Sequence, residues 1–297
     1  MLAALLFALC VVASAQPVDE PAKLLSAREI VPPPGGPFNP SGLLRWKGDW
    51  LVVSDKIEHR KIYRLRRRGE VYETKSFLEI PELAGAGARD FEGLADCGGK
   101  FLIVEESSGV LVALDRKGRA ELRAIDLLSI HRERGFAPSW GSKGAGLESV
   151  ACSTDTVFVA NERQYRMIYA LDPKTLRARD FFDVPGAPGL PHFSGMTALY
   201  PDYADLYFEK GFLYALERNS RRVLKIDPVA KSLVAAARLE FHERDLYEYE
   251  LPFGLAEGLA LIEGRIVVVL DNNDAARRGK PGNLSPMLLE FERPAGF

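Results

Sequence analysis

The chain has 297 residues, 27% of them charged and 47% hydrophobic, and its 39 Lys and Arg nearly balance 41 Asp and Glu. That balance removes the basic footprint of a nucleic-acid binder and any strong pull toward an anionic membrane. The ordinary apolar fraction excludes a disordered chain and a polytopic membrane protein, while 26 Gly and 19 Pro between apolar runs point to many turns.

Residues 1–15 are uncharged and apolar, and Ala13-Ser14-Ala15 has the small-x-small form that signal peptidase cleaves. They are expected to be a Sec-type signal peptide, leaving 16–297 as a single periplasmic or secreted domain. The competing reading of the same run is a buried N-terminal strand or helix; it is too short to span a bilayer. Cys10 follows Leu9 rather than a small residue, which argues against a lipoprotein cleavage site. Cys97 and Cys152 remain, either as a disulfide or as two buried thiols.

Beyond residue 40 the pattern is short β runs with little helical periodicity. Apolar runs at 50–53, 101–104, 157–160, 212–216 and 266–270 each precede a polar pair, including Ser54-Asp55, Glu105-Glu106, Asn161-Glu162, Glu217-Arg218 and Asp271-Asn272. Counting back 14 residues from Asp55, Glu106, Glu162, Glu217 and Asp271 reaches Ser41, Glu92, Glu148, Tyr203 and Glu257, spaced by 51, 56, 55 and 54 residues. A constant offset inside a near-constant period of this size indicates a propeller or a solenoid.

Each unit reads as four strands. The 14-residue offset spans a hairpin whose midpoint carries turn residues: Gly48, Gly99, Asp155, Lys210 beside Gly211, and Gly264. Third strands follow at 62–65, 110–114, 167–171, 223–226 and 287–291, and fourth strands at 71–80, 120–127, 176–184 and 232–241. The fifth unit has no fourth strand, and residues 23–30 form a spare one able to complete it. The expected fold is all-β, a five-bladed β-propeller of four-stranded blades closed by the N-terminal strand. A six-bladed ring would need a blade hidden in a long connection, and a solenoid would not need the spare strand.

In such a ring Glu92, Glu148 and Glu257 converge on one channel mouth, completed by Ser41 and the Tyr203/Asp205 segment. Asp55, Glu106, Glu162, Glu217 and Asp271 stand one strand further out. Crowded carboxylates need a counter-charge, and an all-oxygen set suits Ca²⁺, so Ser41, Glu92, Glu148, Asp205 and Glu257 are the candidate metal ligands. The alternative is that they bond backbone amides or face channel water. There is no zinc spacing, P-loop or dinucleotide loop. Nor is there a Gly-x-Ser-x-Gly nucleophile, and Ser149 has no placed base.

The loops of that face carry His59, His131, His192 and His242, with Arg132, Arg134, Lys143, Arg163, Arg218, Arg277, Arg278 and Lys280. His131, His192, Arg163 and Arg218 are the candidate catalytic residues, as acid/base or anion-binding groups for a small anionic substrate. Incidental surface charge is the competing explanation for each. Met196, Tyr200, Tyr203 and Tyr207 are expected to pack the fourth unit.

Several words strengthen this reading: Asp90-Phe91-Glu92-Gly93-Leu94-Ala95, Ala256-Glu257-Gly258-Leu259-Ala260, Leu270-Asp271-Asn272-Asn273 and Met287-Leu288-Leu289-Glu290-Phe291-Glu292. Together with Asp205-Leu206 and Leu216-Glu217-Arg218, they resemble the bacterial phytase-like propeller family, also described as having esterase-like activity of phytase. Glu148 and Asn161-Glu162-Arg163 resemble the SdiA-regulated propellers. The likeness runs through short words over residues 38–292 and implies an exported, Ca²⁺-dependent propeller acting on phosphate or carboxylate esters. Ser and Glu at blade starts also resemble the five-bladed calcium-activated nucleotidases, whose other motifs are not evident. Two functions are therefore expected to compete: a Ca²⁺-dependent hydrolase, and a non-catalytic ligand- or protein-binding propeller with a structural ion. In either case a monomer is expected, with no nucleic-acid partner and no membrane span.

Overall fold

Apolar residues run without interruption through the second strand of each repeat because both faces of that strand are buried. The computed structural model describes residues 18–82, 90–106, 109–134, 146–162, 166–184, 201–240, 249 and 255–297. The expected signal segment 1–15 lies outside the described residues, as do Lys143, Arg163, His192, Met196, Tyr200 and His242.

An N-terminal strand, β1 (Val18–Val31), precedes a series of antiparallel meanders. The first is β2 (Pro40–Trp46), β3 (Asp49–Ser54), β4 (Lys61–Arg68) and β5 (Val71–Glu79). The second is β6 (Phe91–Cys97), β7 (Lys100–Glu105), β8 (Val110–Asp115) and β9 (Ala120–Ala124), followed by a short helix, α1 (Leu128–Glu133). Next come β10 (Leu147–Cys152), β11 (Val157–Asn161), β12 (Met167–Leu171) and β13 (Ala178–Phe182). They are followed by β14 (Tyr203–Glu209), β15 (Phe212–Glu217), β16 (Arg222–Asp227) and β17 (Ser232–Glu240). The last set, β18 (Ala256–Ile262), β19 (Arg265–Leu270) and β20 (Met287–Glu292), takes β1 as its fourth strand.

β1 is longer than the spare strand expected over 23–30, and it joins three sheets. Its first part pairs in parallel with β17, Val18 opposite Ala235 through Lys23 opposite Glu240. Its middle pairs antiparallel with β20, and Glu29, Ile30 and Val31 pair in parallel with Val71, Tyr72 and Glu73 of β5. α1 begins just beyond the fourth strand expected over 120–127, and β9 stops short of that expectation, at Ala124.

Strand alternation sends successive side chains to opposite faces, and here each face meets a different neighbouring sheet. Leu51 and Val53 of β3 pack with Phe101 and Ile103 of β7, whereas Trp50 and Val52 pack with Val267 and Val269 of β19. Val157 and Val159 of β11 pack toward β7, while Phe158 and Ala160 pack toward β15. Tyr214 and Leu216 of β15 meet Ile266 and Val268 of β19. Sheets therefore stack side by side, each gap filled by its own apolar cluster. Their innermost strands touch in sequence: β2 with β6, β6 with β10, β10 with β14, β14 with β18, and β18 with β2.

Glycine permits this close approach. A Cβ on Gly93 would lie 2.7 Å from both Ser149 Cα and Val150 N, and one on Gly42, at φ +61°, would lie 2.6 Å from the Glu92 carbonyl oxygen. Because the obstruction at Gly93 is backbone, Gly93→Ala must push β6 and β10 apart. It is expected to cost about 1–3 kcal/mol, read as a lower denaturation midpoint with unchanged m-value.

At the far ends of the same two strands, Cys97 and Cys152 form a disulfide with Cα atoms 5.7 Å apart and a sequence separation of 55. It ties adjacent sheets covalently beside the apolar cluster of Leu102, Val157 and Leu171. The double substitution Cys97→Ser/Cys152→Ser is expected to lose about 2–4 kcal/mol of stability, measured by denaturant unfolding of the oxidised parent against the variant.

Candidate metal centre

The innermost strands share a local irregularity. Their pairing with the second strands shifts register between Ser41 and Leu43, Phe91 and Leu94, Leu147 and Ser149, Tyr203 and Asp205, and Ala256 and Gly258. A shift of this kind leaves a residue unpaired and re-aims its side chain. The residues passed over are Gly42, Glu92 with Gly93, Glu148, Ala204 and Glu257. Three inner strands thus present a glutamate at the same structural position; β2 presents glycine and β14 presents alanine.

Those glutamates open into a cavity of about 200 Å³. Eight carboxylates line it: Glu92, Glu148 and Glu257 from inner strands, Asp55, Glu106, Glu162 and Asp271 from the ends of second strands, and Asp90 just before β6. Ser41, Asn273 and Arg218 complete the wall. One oxygen each of Glu92, Glu148 and Glu257 lie within 4.8 Å of one another. Two further groups meet the same limit, Asp55 with Asp90 and Glu92, and Glu106 with Glu148 and Glu162. Glu92 and Glu148 are shared, so the three groups form one continuous field of oxygen donors.

Burial and crowding disfavour ionisation here. Burial first, then Glu148, Glu257, Asp90 and Asp55, hold the Glu92 carboxyl well above the usual carboxylate range. Burial also raises Glu148, opposed by Arg218 and reinforced by Glu257 and Glu106. Glu106 is pushed up to about 7 by burial and by Asp90, and Asp55 to about 6 by burial against the pull of Lys56. Asp271 is raised by burial and by Glu257.

Arg218, immediately after β15, is the cation of the wall. Its Nε donates to Asp202 Oδ2 at 2.6 Å, its Nη1 to both Glu257 oxygens at 2.5 and 2.7 Å, and its Nη2 to Glu162. Burial alone would favour the neutral guanidine, but Glu257 and Glu148 outweigh it and keep the group charged. Arg218 was expected in a loop, open to an anion; instead three carboxylates hold it as an internal counter-charge.

The other expected site residues divide. Ser41 lines the cavity. Asp205 is fully buried but does not line it: its carboxylate accepts backbone N–H groups of Leu43 at 3.3 Å, Leu206 at 2.8 Å and Leu259 at 2.7 Å. The residue passed over in β14 is Ala204, so Asp205 falls one position later and ties β14 to β2 and β18. Glu217 likewise turns away, to Arg166 and Ser220. His131 sits in α1, buried, with Nε2 2.9 Å from the Tyr169 hydroxyl and its ring against Phe181. The helix, not a loop, carries it into the packing of the third meander, away from the cavity wall. His59 is buried too, 2.9 Å from the Tyr63 hydroxyl, and Arg277 pairs with Glu29 of β1. No histidine lines the cavity among the described residues.

Asp90 and Asp202 were not anticipated. Both precede an inner strand by one residue, and the 14-residue offset skips that position. A search for acids on either side of each repeat word would have found them.

No protein-family model and no curated protein sequence matches the chain. Solved structures do. Glutaminyl cyclase from Myxococcus xanthus is similar at 16% identity and a TM-score of 0.59, over 93% of this chain and 98% of that one. A PQQ-bound aldose sugar dehydrogenase from Streptomyces coelicolor is similar at 16% identity and a TM-score of 0.50, over 94% and 100%. The fold is a β-propeller. Likeness at this level of identity concerns the fold, and propellers carry many chemistries. Among the described residues no helix is long and apolar enough to cross a membrane.

Proposed function

We propose that the chain is a five-bladed, extracytoplasmic propeller that binds a hard divalent cation, Ca²⁺ by preference, at its acidic mouth and hydrolyses phosphate or related esters there. The observation that carries this reading is the convergence of Glu92, Glu148 and Glu257 within 4.8 Å in a wall of eight carboxylates. The donor set is entirely oxygen, which suits Ca²⁺ and disfavours zinc or copper. Four-stranded sets whose inner strands close from β18 back onto β2 support the blade number. The disulfide supports an oxidising compartment. The short repeat words support a phytase-like or SdiA-regulated relationship, and the enzymes among structural neighbours are compatible with catalysis.

Once bound, the cation would supply Lewis-acid polarisation of the ester and a more acidic water. Asp90 and Glu106 line the same cavity beside the glutamate triad, so they are the carboxylates available to accept that water's proton. The inner-strand glutamates, held by paired strands at a common register shift, fix the donor geometry without help from loops.

A second reading, a binding propeller with a purely structural ion, is favoured by one feature: Arg218 is committed to carboxylates rather than presented to an anion. Purified protein tested against 4-nitrophenyl phosphate, phytate, nucleotides and aryl acetates, with and without Ca²⁺, separates the two. Ca²⁺-dependent turnover lost in Glu92→Gln/Glu148→Gln/Glu257→Gln is expected. Turnover unchanged by that triple substitution overturns the mechanism, and Ca²⁺ binding without turnover selects the second reading.

A further inference from the structure

A second cavity, of about 460 Å³, opens at the other end of β2 and has the opposite chemistry. Its lining includes Arg45, Arg66, Arg67 and Arg68 with Trp50 and Tyr72, and its single carboxylate is Asp49. Ser41 marks the acidic mouth and Arg45 the basic one, so about 13 Å of extended strand separates them.

The topology builds the cleft. Arg45 stands opposite Trp50 across the β2–β3 hairpin, Trp50 opposite Leu65 of β4, and Arg67 opposite Tyr72 across the β4–β5 hairpin. The two neighbouring hairpin ends therefore bring Arg45 of β2 and Arg67 of β4 to the face that carries the buried rings of Trp50 and Tyr72, while Arg66 and Arg68 alternate to the other face.

These cations are unevenly neutralised. Asp49 pairs with Arg64 at 3.3 Å, outside the lining set, and Arg68 pairs with Glu73 at 3.4 Å in an exposed contact. The Arg67 Nε donates to the Gly69 carbonyl at 3.1 Å. The Arg45 guanidinium lies 4.5 Å from the Trp50 ring centroid, which orients the fork without neutralising it. Neither Arg45 nor Arg67 has a carboxylate within ion-pair distance among the described residues. Arg45 and Arg67 thus share the Trp50 face with no lining carboxylate, because Asp49 alternates to the other face and pairs with Arg64 there, which makes the cleft an anion site rather than a balanced surface.

We infer that this cleft binds a small molecule carrying two or more phosphate groups. Planar guanidinium forks match tetrahedral oxyanions bidentately, and forks arriving from two strands can each take a different phosphate. The volume falls within the range of small-ligand pockets. The inference does not depend on the cation at the acidic mouth or on catalysis there.

The test uses full-length protein stripped with chelator and then desalted, so that neither a metal-bound anion nor the chelator competes. Pyrophosphate and tripolyphosphate are titrated by calorimetry at low salt and at 0.15 M salt, with citrate as a carboxylate control. Both phosphates are expected to bind, tripolyphosphate more tightly, with Arg45→Gln/Arg67→Gln weakening each at least tenfold. Arg67 is exposed, so Arg67→Gln alone provides a folded variant and is expected to weaken binding severalfold. Glu92→Gln/Glu148→Gln/Glu257→Gln should leave these affinities unchanged. No binding by the parent, an affinity indifferent to both arginine variants, or citrate binding as tightly as tripolyphosphate would each overturn the assignment.

Discussion

Replacing Arg218 by methionine is expected to destabilise the protein by about 3–5 kcal/mol near pH 8, the cost of breaking a buried ion-pair network from one side. The guanidinium bonds Asp202, Glu162 and Glu257 and lines a cavity holding six further carboxylates besides Glu162 and Glu257, Glu148 among them. Methionine fills most of the volume, so the loss comes from uncompensated charge rather than from a void. Two measurements separate this from a packing defect. The penalty should shrink at pH 5, where buried acids accept protons, and it should shrink in saturating Ca²⁺, which replaces the lost positive charge. A variant equally unstable at pH 5 and pH 8, with and without Ca²⁺, would refute the counter-charge role.

The metal-free protein is expected to lose stability as pH rises, the reverse of ordinary acid denaturation. Glu106 titrates near 7 in the folded state against an ordinary 4.5, and Asp55 near 6 against 3.8. A raised folded-state pKa means that the folded chain holds more protons than the unfolded chain between the two values. Stability from these groups is fully present below the unfolded value and falls as pH passes through the folded one, from about pH 4 to about pH 7. Chelator-treated protein should therefore unfold at a lower temperature at pH 8 than at pH 5. Ca²⁺ at about a hundred times its dissociation constant should add about 2.7 kcal/mol and raise the midpoint by about 5 °C at pH 8. The triple substitution Glu92→Gln/Glu148→Gln/Glu257→Gln should abolish the Ca²⁺ response. A midpoint that does not move with Ca²⁺ or chelator at pH 8 would remove the cation from the site.

Much of the fold was legible because it repeats. Apolar second strands such as 101–104 and 266–270 must be buried on both faces, and their fixed offset from Glu92 and Glu257 exposed the hairpin. The glutamate triad was legible for the same reason, since the words around Glu92 and Glu257 nearly coincide. Asp205 was misplaced because sequence spacing cannot show which residue a register shift passes over. In β14 that residue is Ala204, so the neighbouring aspartate meets backbone amides instead of the cavity. His131 was misplaced because six residues of helix carry too little periodicity to announce themselves, and the helix turns the imidazole into an apolar cluster. The parallel contacts of β1 with β5 and β17 left no local signal, because pairing between distant strands is decided by which edges remain open.

By itself the sequence determined the repeat, the four-strand unit, the need for a closing N-terminal strand and the convergence of three glutamates, all consequences of local alternation and spacing. Only the tertiary structure decided how charge is distributed. A near-neutral chain separates into an acidic cavity with one internal arginine and a basic cleft at the opposite end of β2. It also decided that Cys97 and Cys152 meet, since they are 55 residues apart and only the stacking of adjacent sheets brings their Cα atoms to 5.7 Å. The reason is common to both. Spacing along the chain sets what each sheet presents at its two ends, but the packing of sheet against sheet sets which of those groups become neighbours.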